Sequence, residues 1–564
     1  MSKFSRICFV LFVSISFINT GLSAQTSVKE DVPKGWHLKD RKTDGYYGIS
    51  LDKAYEFVKG KKSTTTIVAV IDSGIDTTHE DLKTVLWHNP KEIPGNGIDD
   101  DKNGYVDDIY GWNFIGGRDG RNVKENSLEV ARVYHRFKDK FKNVTDPSTL
   151  NKEEQEQYSL WKRAEKQIVS QSKTEGLDIL ILRRVFNSAA KNDSILRLAF
   201  KEKYTGEELE EFKPTTDEAK RAKEGLLYLF RANDMMETTN VEFVEGFGEY
   251  VGMEEKKAEA AEKKPKDYRG EIVKDNYYDI NDRFYGNNNV MANTPFHGTH
   301  VSGIIGALRN NEKGMDGVAD NVKIMMIRVV PDGDEYDKDV ALGIRYAVDN
   351  GAQVINMSFG KNFSPEKNWV DDAVSYAESK GVLLVHAAGN DASNIDSDYT
   401  FPNPVYKANG VRASNWITVG ASGDPRAGGL IANFSNYGKK EVDVFAPGVK
   451  IYSTVPGGDA YGTAQGTSMA SPVVTGLAAF LLSYYPDLSA SQVKYVIEKS
   501  AQKADTEIES PYNGEKIKLE DISKTGGVIN AYEAVKLAAT LKGEKKNADK
   551  PVKTRSSVKE KIKG

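Results

Sequence analysis

The chain has 564 residues, 39% of them apolar, with a formal net charge of −5. That composition suits one large core with added material, and without a basic excess it argues against nucleic acid as a primary partner. Cys8 is the single cysteine, which excludes an intramolecular disulfide framework.

At the N-terminus, Lys3 and Arg6 precede an apolar stretch from Ile7 to Ile18, and small residues end at Ala24. This order reads as a signal peptide over 1–24, too short and wrongly flanked for a retained membrane span. Cys8 lies inside it, so a secreted mature chain is expected to rely on packing or bound ions rather than a disulfide. Further on, the β-branched run Thr66-Ile67-Val68-Ala69-Val70-Ile71 predicts a buried parallel strand that ends at Asp72. A carboxylate at the carboxyl end of such a strand faces the ligand crevice of an open α/β sheet, although Asp72 alone also suits a turn.

The next segment, Asn96 to Asp108, alternates oxygen-bearing side chains around a glycine. Asp99, Asp101, Asn103, the Tyr105 carbonyl and Asp107 resemble the opening of an EF-hand calcium loop, without its distal glutamate or a flanking helix. A solvated acidic turn is the alternative. Residues 118–284 are rich in Lys, Glu and Ala. Amphipathic helices are expected over Leu150–Ser172, Leu177–Leu198 and Asp217–Phe230, and a charged helix or linker over Met253–Lys266. This stretch reads as a helical insertion beside the cleft, acting either as a lid or substrate-selecting arm or as a peripheral decoration.

Three segments then carry chemistry. His297-Gly298-Thr299-His300-Val301-Ser302-Gly303 sets a histidine before a small-residue helix able to pack closely. His297 and His300 have the spacing of a metal pair, but helical two-histidine zinc sites place a glutamate between the ligands, and here glycine and threonine stand there. Val382 to Ala388 predicts a buried strand leading to Gly389-Asn390, where the asparagine also suits left-handed backbone geometry. Gly466-Thr467-Ser468-Met469-Ala470-Ser471-Pro472 precedes a long apolar run, which sets Ser468 at a helix N-terminus, where free N–H groups favour developing negative charge. A serine at that position is also an ordinary cap. Serine, histidine and aspartate together supply a nucleophile, its base and a carboxylate that orients the base.

In their order along the chain, these segments resemble those of the subtilisin-like serine proteases, the subtilases. The resemblance implies an α/β fold, a three-layer sandwich around a mainly parallel sheet, split into 25–117 and 285–541 by the insertion. It implies Asp72 as the orienting carboxylate, His297 as the base, Ser468 as the nucleophile and Asn390 as an oxyanion donor, with His300 a packed neighbour. Val354 to Gly360 is similar to the family's substrate-pairing strand, which brings in Ser358, Phe359 and Gly360. Val329 to Gly333 resembles the opposing edge. Lys361 stands where the family usually has a second glycine and is expected to point to solvent or to reach an acidic substrate side chain. Asp81 matches a family calcium ligand, with Asn310 or Asn311 as partners, so structural calcium is the implied ion and no organic cofactor is expected.

The resemblance thus implies a serine endopeptidase acting on protein or peptide substrates, secreted to the periplasm, cell surface or medium. Alternatives on the same fold are a catalytically silent peptide-binding protein and a peptide-ligating acyl transferase. Between Ala24 and Trp36 there is room for only a short segment, so a separate folding prodomain is not expected there. Residues 542–564 are rich in lysine and read as a disordered basic tail.

Overall fold

The structure is a computed structural model that describes residues 32–545 other than 173–175, 234, 237, 261, 294, 428, 505 and 506. The expected signal peptide, Cys8 and residues 546–564 of the expected tail lie outside the described residues. In chain order the elements are α1 (Leu51–Phe57), β1 (Thr66–Asp72), β2 (Gly111–Asn113), α2 (Glu129–Phe141), α3 (Lys152–Ser172), α4 (Gly176–Ala199), α5 (Gly206–Glu211), α6 (Asp217–Ala232), α7 (Asn240–Glu259) and α8 (Tyr268–Ile272). There follow α9 (Phe296–Gly306), β3 (Val322–Arg328), α10 (Asp337–Asp349), β4 (Val354–Met357), α11 (Lys367–Ser379), β5 (Leu383–Ala387), β6 (Trp416–Ser422), β7 (Val444–Pro447), β8 (Ile451–Val455) and β9 (Ala460–Ala464). The chain ends with α12 (Thr467–Tyr484), α13 (Ala490–Ser500), β10 (Gln502–Lys503), β11 (Ile508–Glu509), β12 (Lys516–Ile517), β13 (Gly527–Val528) and α14 (Ala531–Ala538).

Nine strands form one sheet in the order β10-β13-β7-β6-β5-β4-β1-β3-β2. Every neighbouring pair is parallel except β10 with β13. A parallel sheet must be covered on both faces, and β1 shows how its sequence meets that demand. Val68 and Val70 enter a core shared with α1, α9, α12, α13 and α14, while Ala69 and Ile71 enter the opposite core with α10 and α11. Alternation along the strand thus serves two apolar faces at once. The apolar run of α12 is long enough to cross a membrane, but 94% of it is buried here, packed on β1 and β4 to β7.

This order puts the ends of β1, β4 and β5 side by side, with chain order reversing around β1, and such a switch point opens a crevice beyond the carboxyl ends of the strands. Two helical clusters stand outside the sheet. In the first, α2 and α3 pack Val133, Phe137, Phe141, Trp161 and Ile168 together with Phe363, which follows β4. The second gathers Leu196, Leu209, Leu226, Phe230, Phe243 and Phe247 from α4 to α7 around a core of its own.

Candidate active site

The strand β1 delivers Asp72, 1% exposed, to the crevice. Asp72 Oδ1 accepts from the Ser73 N–H at 2.7 Å and lies 2.8 Å from His297 Nδ1. Because the amide is already a fixed donor to that oxygen, the short histidine contact requires the proton on Nδ1, which leaves Nε2 as the basic nitrogen. Helix α9 comes this close only because residue 298 is glycine, since a Cβ there would sit 2.2 Å from the Gly74 carbonyl oxygen. The turn after Asp72 is held by Arg328, fully buried at the end of β3, whose guanidinium donates to the Ser73 and Val123 carbonyls at 2.8 and 2.7 Å. Burial pushes the Arg328 group down to about 10, so it remains a cation at neutral pH.

Ser468 is the second residue of α12, and its Oγ donates to the Ser358 carbonyl at 3.1 Å. Ser358 Oγ returns a bond to the Ser468 carbonyl at 3.0 Å, so β4 and α12 hold each other at the nucleophile. Asn356, fully buried on β4, reinforces this junction. Its Oδ1 accepts from Ser471 Oγ and Thr475 Oγ1 at 3.0 and 2.9 Å, and its Nδ2 donates to Ser358 Oγ at 3.0 Å. Asn390 follows β5, and its Oδ1 accepts from the Thr467 N–H and Oγ1, both at 2.9 Å. The backbone donor fixes the amide orientation and leaves Nδ2 as a hydrogen-bond donor on the other side. Asn436, 3% exposed, in turn holds the loop that bears Asn390, donating to the Ala388 carbonyl and accepting from the Asp391 and Ser393 N–H groups, each at 2.9 Å.

The other expected positions fall as follows. His300 is fully buried with Nε2 3.3 Å from the Gly462 carbonyl oxygen, and burial pushes it down to about 3. Phe359 and exposed Gly360 follow β4, and the Phe359 carbonyl accepts from His386 Nε2 at 2.8 Å. Burial pushes His386 down to about 4, so its neutral ring supplies one N–H to this carbonyl. Gly333 has φ +131° and presses on Asn126, whose carbonyl oxygen would be 2.2 Å from an added Cβ.

Lys361 corrects the expectation that it faces solvent or a substrate. Its side chain is 1% exposed, and Nζ meets Glu129 Oε2 and Asp337 Oδ1, both at 2.9 Å, and the Glu335 carbonyl at 2.7 Å. A lysine is retained inside because two carboxylates and a carbonyl replace its hydration, one of the carboxylates brought by the insertion.

In the acidic segment, Glu92, Asp99 and Asp101 bring carboxylate oxygens within 4.8 Å of one another, a set suited to a hard cation with oxygen ligands. Glu92, 7% exposed, lies outside the motif that the sequence suggested. Asp107 instead accepts from the Gly95, Asn96 and Gly97 N–H groups. Asn103 Oδ1 accepts from the Tyr105 N–H, and its Nδ2 donates to Asp108. Tyr105 packs its ring against Trp112 and Tyr346. At the second expected site, Asp81 is fully buried, accepting from Asn311 Nδ2 at 2.5 Å and Tyr461 OH at 2.7 Å, while the Asn310 N–H donates to Asp316.

The profile of the family described as "Subtilase family" matches residues 63–515. A thermophilic serine proteinase of Bacillus sp. (strain AK1) is 39% identical over 245 residues, which is 42% of this chain and 52% of that protein. Thermitase of Thermoactinomyces vulgaris is 37% identical over 258 residues, 45% of this chain and 79% of thermitase. Subtilisin DY of Bacillus licheniformis is 40% identical over 206 residues, covering 36% of this chain and 70% of the relative. The match therefore spans about half the length of the Bacillus sp. proteinase.

Proposed function

The chain belongs to the subtilase family, and we propose from that premise that it is a serine endopeptidase hydrolysing protein or peptide substrates through Ser468, His297 and Asp72. The observation that carries this reading is the 2.8 Å contact between His297 and Asp72, taken with a serine at the start of α12.

In the free site Ser468 Oγ occupies the Ser358 carbonyl. A substrate strand pairing with the segment after β4 brings its own N–H to that carbonyl and releases Oγ toward His297. Nε2 then takes the serine proton as Oγ attacks the peptide carbonyl, while Asp72 holds the Nδ1–H and steadies the charge that forms. The oxyanion receives Asn390 Nδ2 and the Ser468 N–H, one of the unpaired amides of the first helical turn. Collapse expels the amine with the proton from His297, and a water then hydrolyses the acyl-enzyme with the same groups in reverse roles.

Calcium is assigned a structural part, with Glu92, Asp99 and Asp101 the residues that would hold it. Once bound, it neutralises carboxylates that otherwise repel one another. Asp81 and Asn311 are the second candidate pair. The N-terminal leader pattern supports export across the inner membrane, to the periplasm, the cell surface or the medium. The test is labelling of purified protein by a fluorophosphonate probe, with and without a calcium chelator, beside Ser468→Ala. Wild type is expected to label and the variant not, with labelling lost as the chelator loosens the fold. Absence of labelling in folded, calcium-loaded wild type overturns the enzyme reading. Product masses in the presence of an added amine separate hydrolysis from acyl transfer.

A further inference from the structure

We propose that the substrate groove pairs with three residues on the acyl side of the scissile bond and ends there, closed by Lys361 and the insertion helix α2. The inference rests on the peptidase reading of the site and names its substrate limit. An extended peptide lying between two edges offers backbone groups to each edge in alternation, so the reach of the groove is set by which edge groups the fold leaves unpaired.

On the edge after β4, the Ser358 carbonyl bonds only the mobile hydroxyl of Ser468 among the described residues. The Phe359 carbonyl is taken by His386. Gly360 has no hydrogen bond to its N–H or C=O among the described residues. Lys361 spends both its backbone groups on Phe401, at 2.9 and 2.8 Å. On the opposing edge, the Asp332 N–H donates to the Lys124 carbonyl at 2.7 Å, and the Asp332 carbonyl accepts from the Asn126 N–H at 2.9 Å and Lys256 Nζ at 2.8 Å. Gly333 is left unpaired among the described residues. The Asp334 carbonyl accepts from Arg132 Nη1 and Asn126 Nδ2 at 3.1 and 3.4 Å, and the Glu335 carbonyl from Lys361 Nζ and Arg132 Nη2 at 2.7 and 3.1 Å. A carbonyl has two lone pairs, and at both residues both are used.

The open carbonyls are thus those of Ser358, Gly333 and Gly360, which serve the first, second and third residues before the scissile bond. A fourth residue would return to the opposing edge at Asp334 and Glu335, where the acceptors are saturated. There the Lys361 side chain also spans from one edge to the other. Charges buried in this way are costly to unpair, so the closure is part of the fold rather than a movable lid.

The test is a series of capped peptides with one shared residue before a chromogenic leaving group and one to five residues on the acyl side. For wild-type protein, kcat/KM is expected to rise at least tenfold from one residue to three and to change less than twofold from three to five. A further tenfold rise at four or five residues overturns the closure. Lys361→Gly combined with Glu129→Gln removes one charge of each sign and opens the gap, and is expected to restore a gain at the fourth residue. If that variant does not fold, the wild-type series decides alone. Fluorophosphonate labelling of Ser468, which needs no subsites, separates the two readings: labelled enzyme with continuing length dependence overturns the closure only, and absence of labelling overturns the peptidase reading and the closure with it.

Discussion

The two ends of the cleft treat polar groups in opposite ways. At the Ser468 end, supporting groups are paired around a free donor: Asn390 Oδ1 is doubly bonded while Nδ2 remains a donor, and Arg328, Asn356 and Asn436 hold backbone and side chains without reaching into the site. At the Lys361 end, charged groups are packed together and Lys361, Glu129, Asp337 and Arg132 pair with one another, with Arg132 and Glu129 of α2 closing the set at 2.6 Å. Unsatisfied groups held rigidly are what bind and react, and satisfied ones are wall. The same contrast runs through the insertion, whose α2 and α3 join the wall, with Arg163 donating to the Asn362 carbonyl and stacking on Phe363 and Tyr399. The α4 to α7 cluster keeps a separate core and meets the cleft edge through Lys256.

The comparison can be broken at either end. The largest effect is expected for Ser468→Ala, about 10⁶-fold in kcat with the fold intact, read as turnover of a capped tripeptide substrate. Next, Asn390→Ala is expected to lower kcat by about 10²–10³ with little change in KM, because its donor acts on charge that exists only in the transition state. A KM effect of similar size would assign Asn390 to substrate binding instead. At the wall end, Glu129→Ala strips one carboxylate from buried Lys361 and Arg132, and is expected to cost about 3 kcal/mol in urea unfolding. An unchanged midpoint would show that Asp337 and the carbonyls suffice.

The smallest effect sharpens the contrast through pH. Burial, opposed by Lys361 and reinforced by Asp334 and Asp337, pushes the Glu335 carboxyl up to about 8 from an ordinary 4.5. The folded protein therefore keeps a proton that the unfolded chain releases near 4.5, so the contribution to stability is full below that pH and is lost as pH rises toward 8. Glu335→Gln is expected to flatten this fall, so the Tm difference between variant and wild type grows in the variant's favour from pH 5 to 8. A constant difference over that range sinks the assignment.

Much of the site was legible because its chemistry is local. Asp72 closes a β-branched run, Ser468 opens an apolar helix and Asn390 leaves a buried strand, and each such junction has a signature within about ten residues. The helices at 152–172, 176–199 and 217–232 were likewise visible in their periodicity. Glu92 escaped because it precedes the acidic motif and meets Asp99 and Asp101 only through the folded loop. Arg328, Asn356 and Asn436 looked like any polar residue in or beside a strand. Their burial follows from the sheet order, which no local pattern contains.

The sequence by itself determined which residue types stand at the strand and helix ends, and the proposed nucleophile, base, orienting carboxylate and oxyanion donor are read from those types. Only the tertiary structure decided the shape of the cleft. Lys361 looks like a surface lysine until Glu129, far from it in sequence, and Asp337 are brought within 2.9 Å. A charge belongs to the interior or to solvent according to the partners that the fold supplies, and those partners come from two separate segments that only folding brings to Lys361.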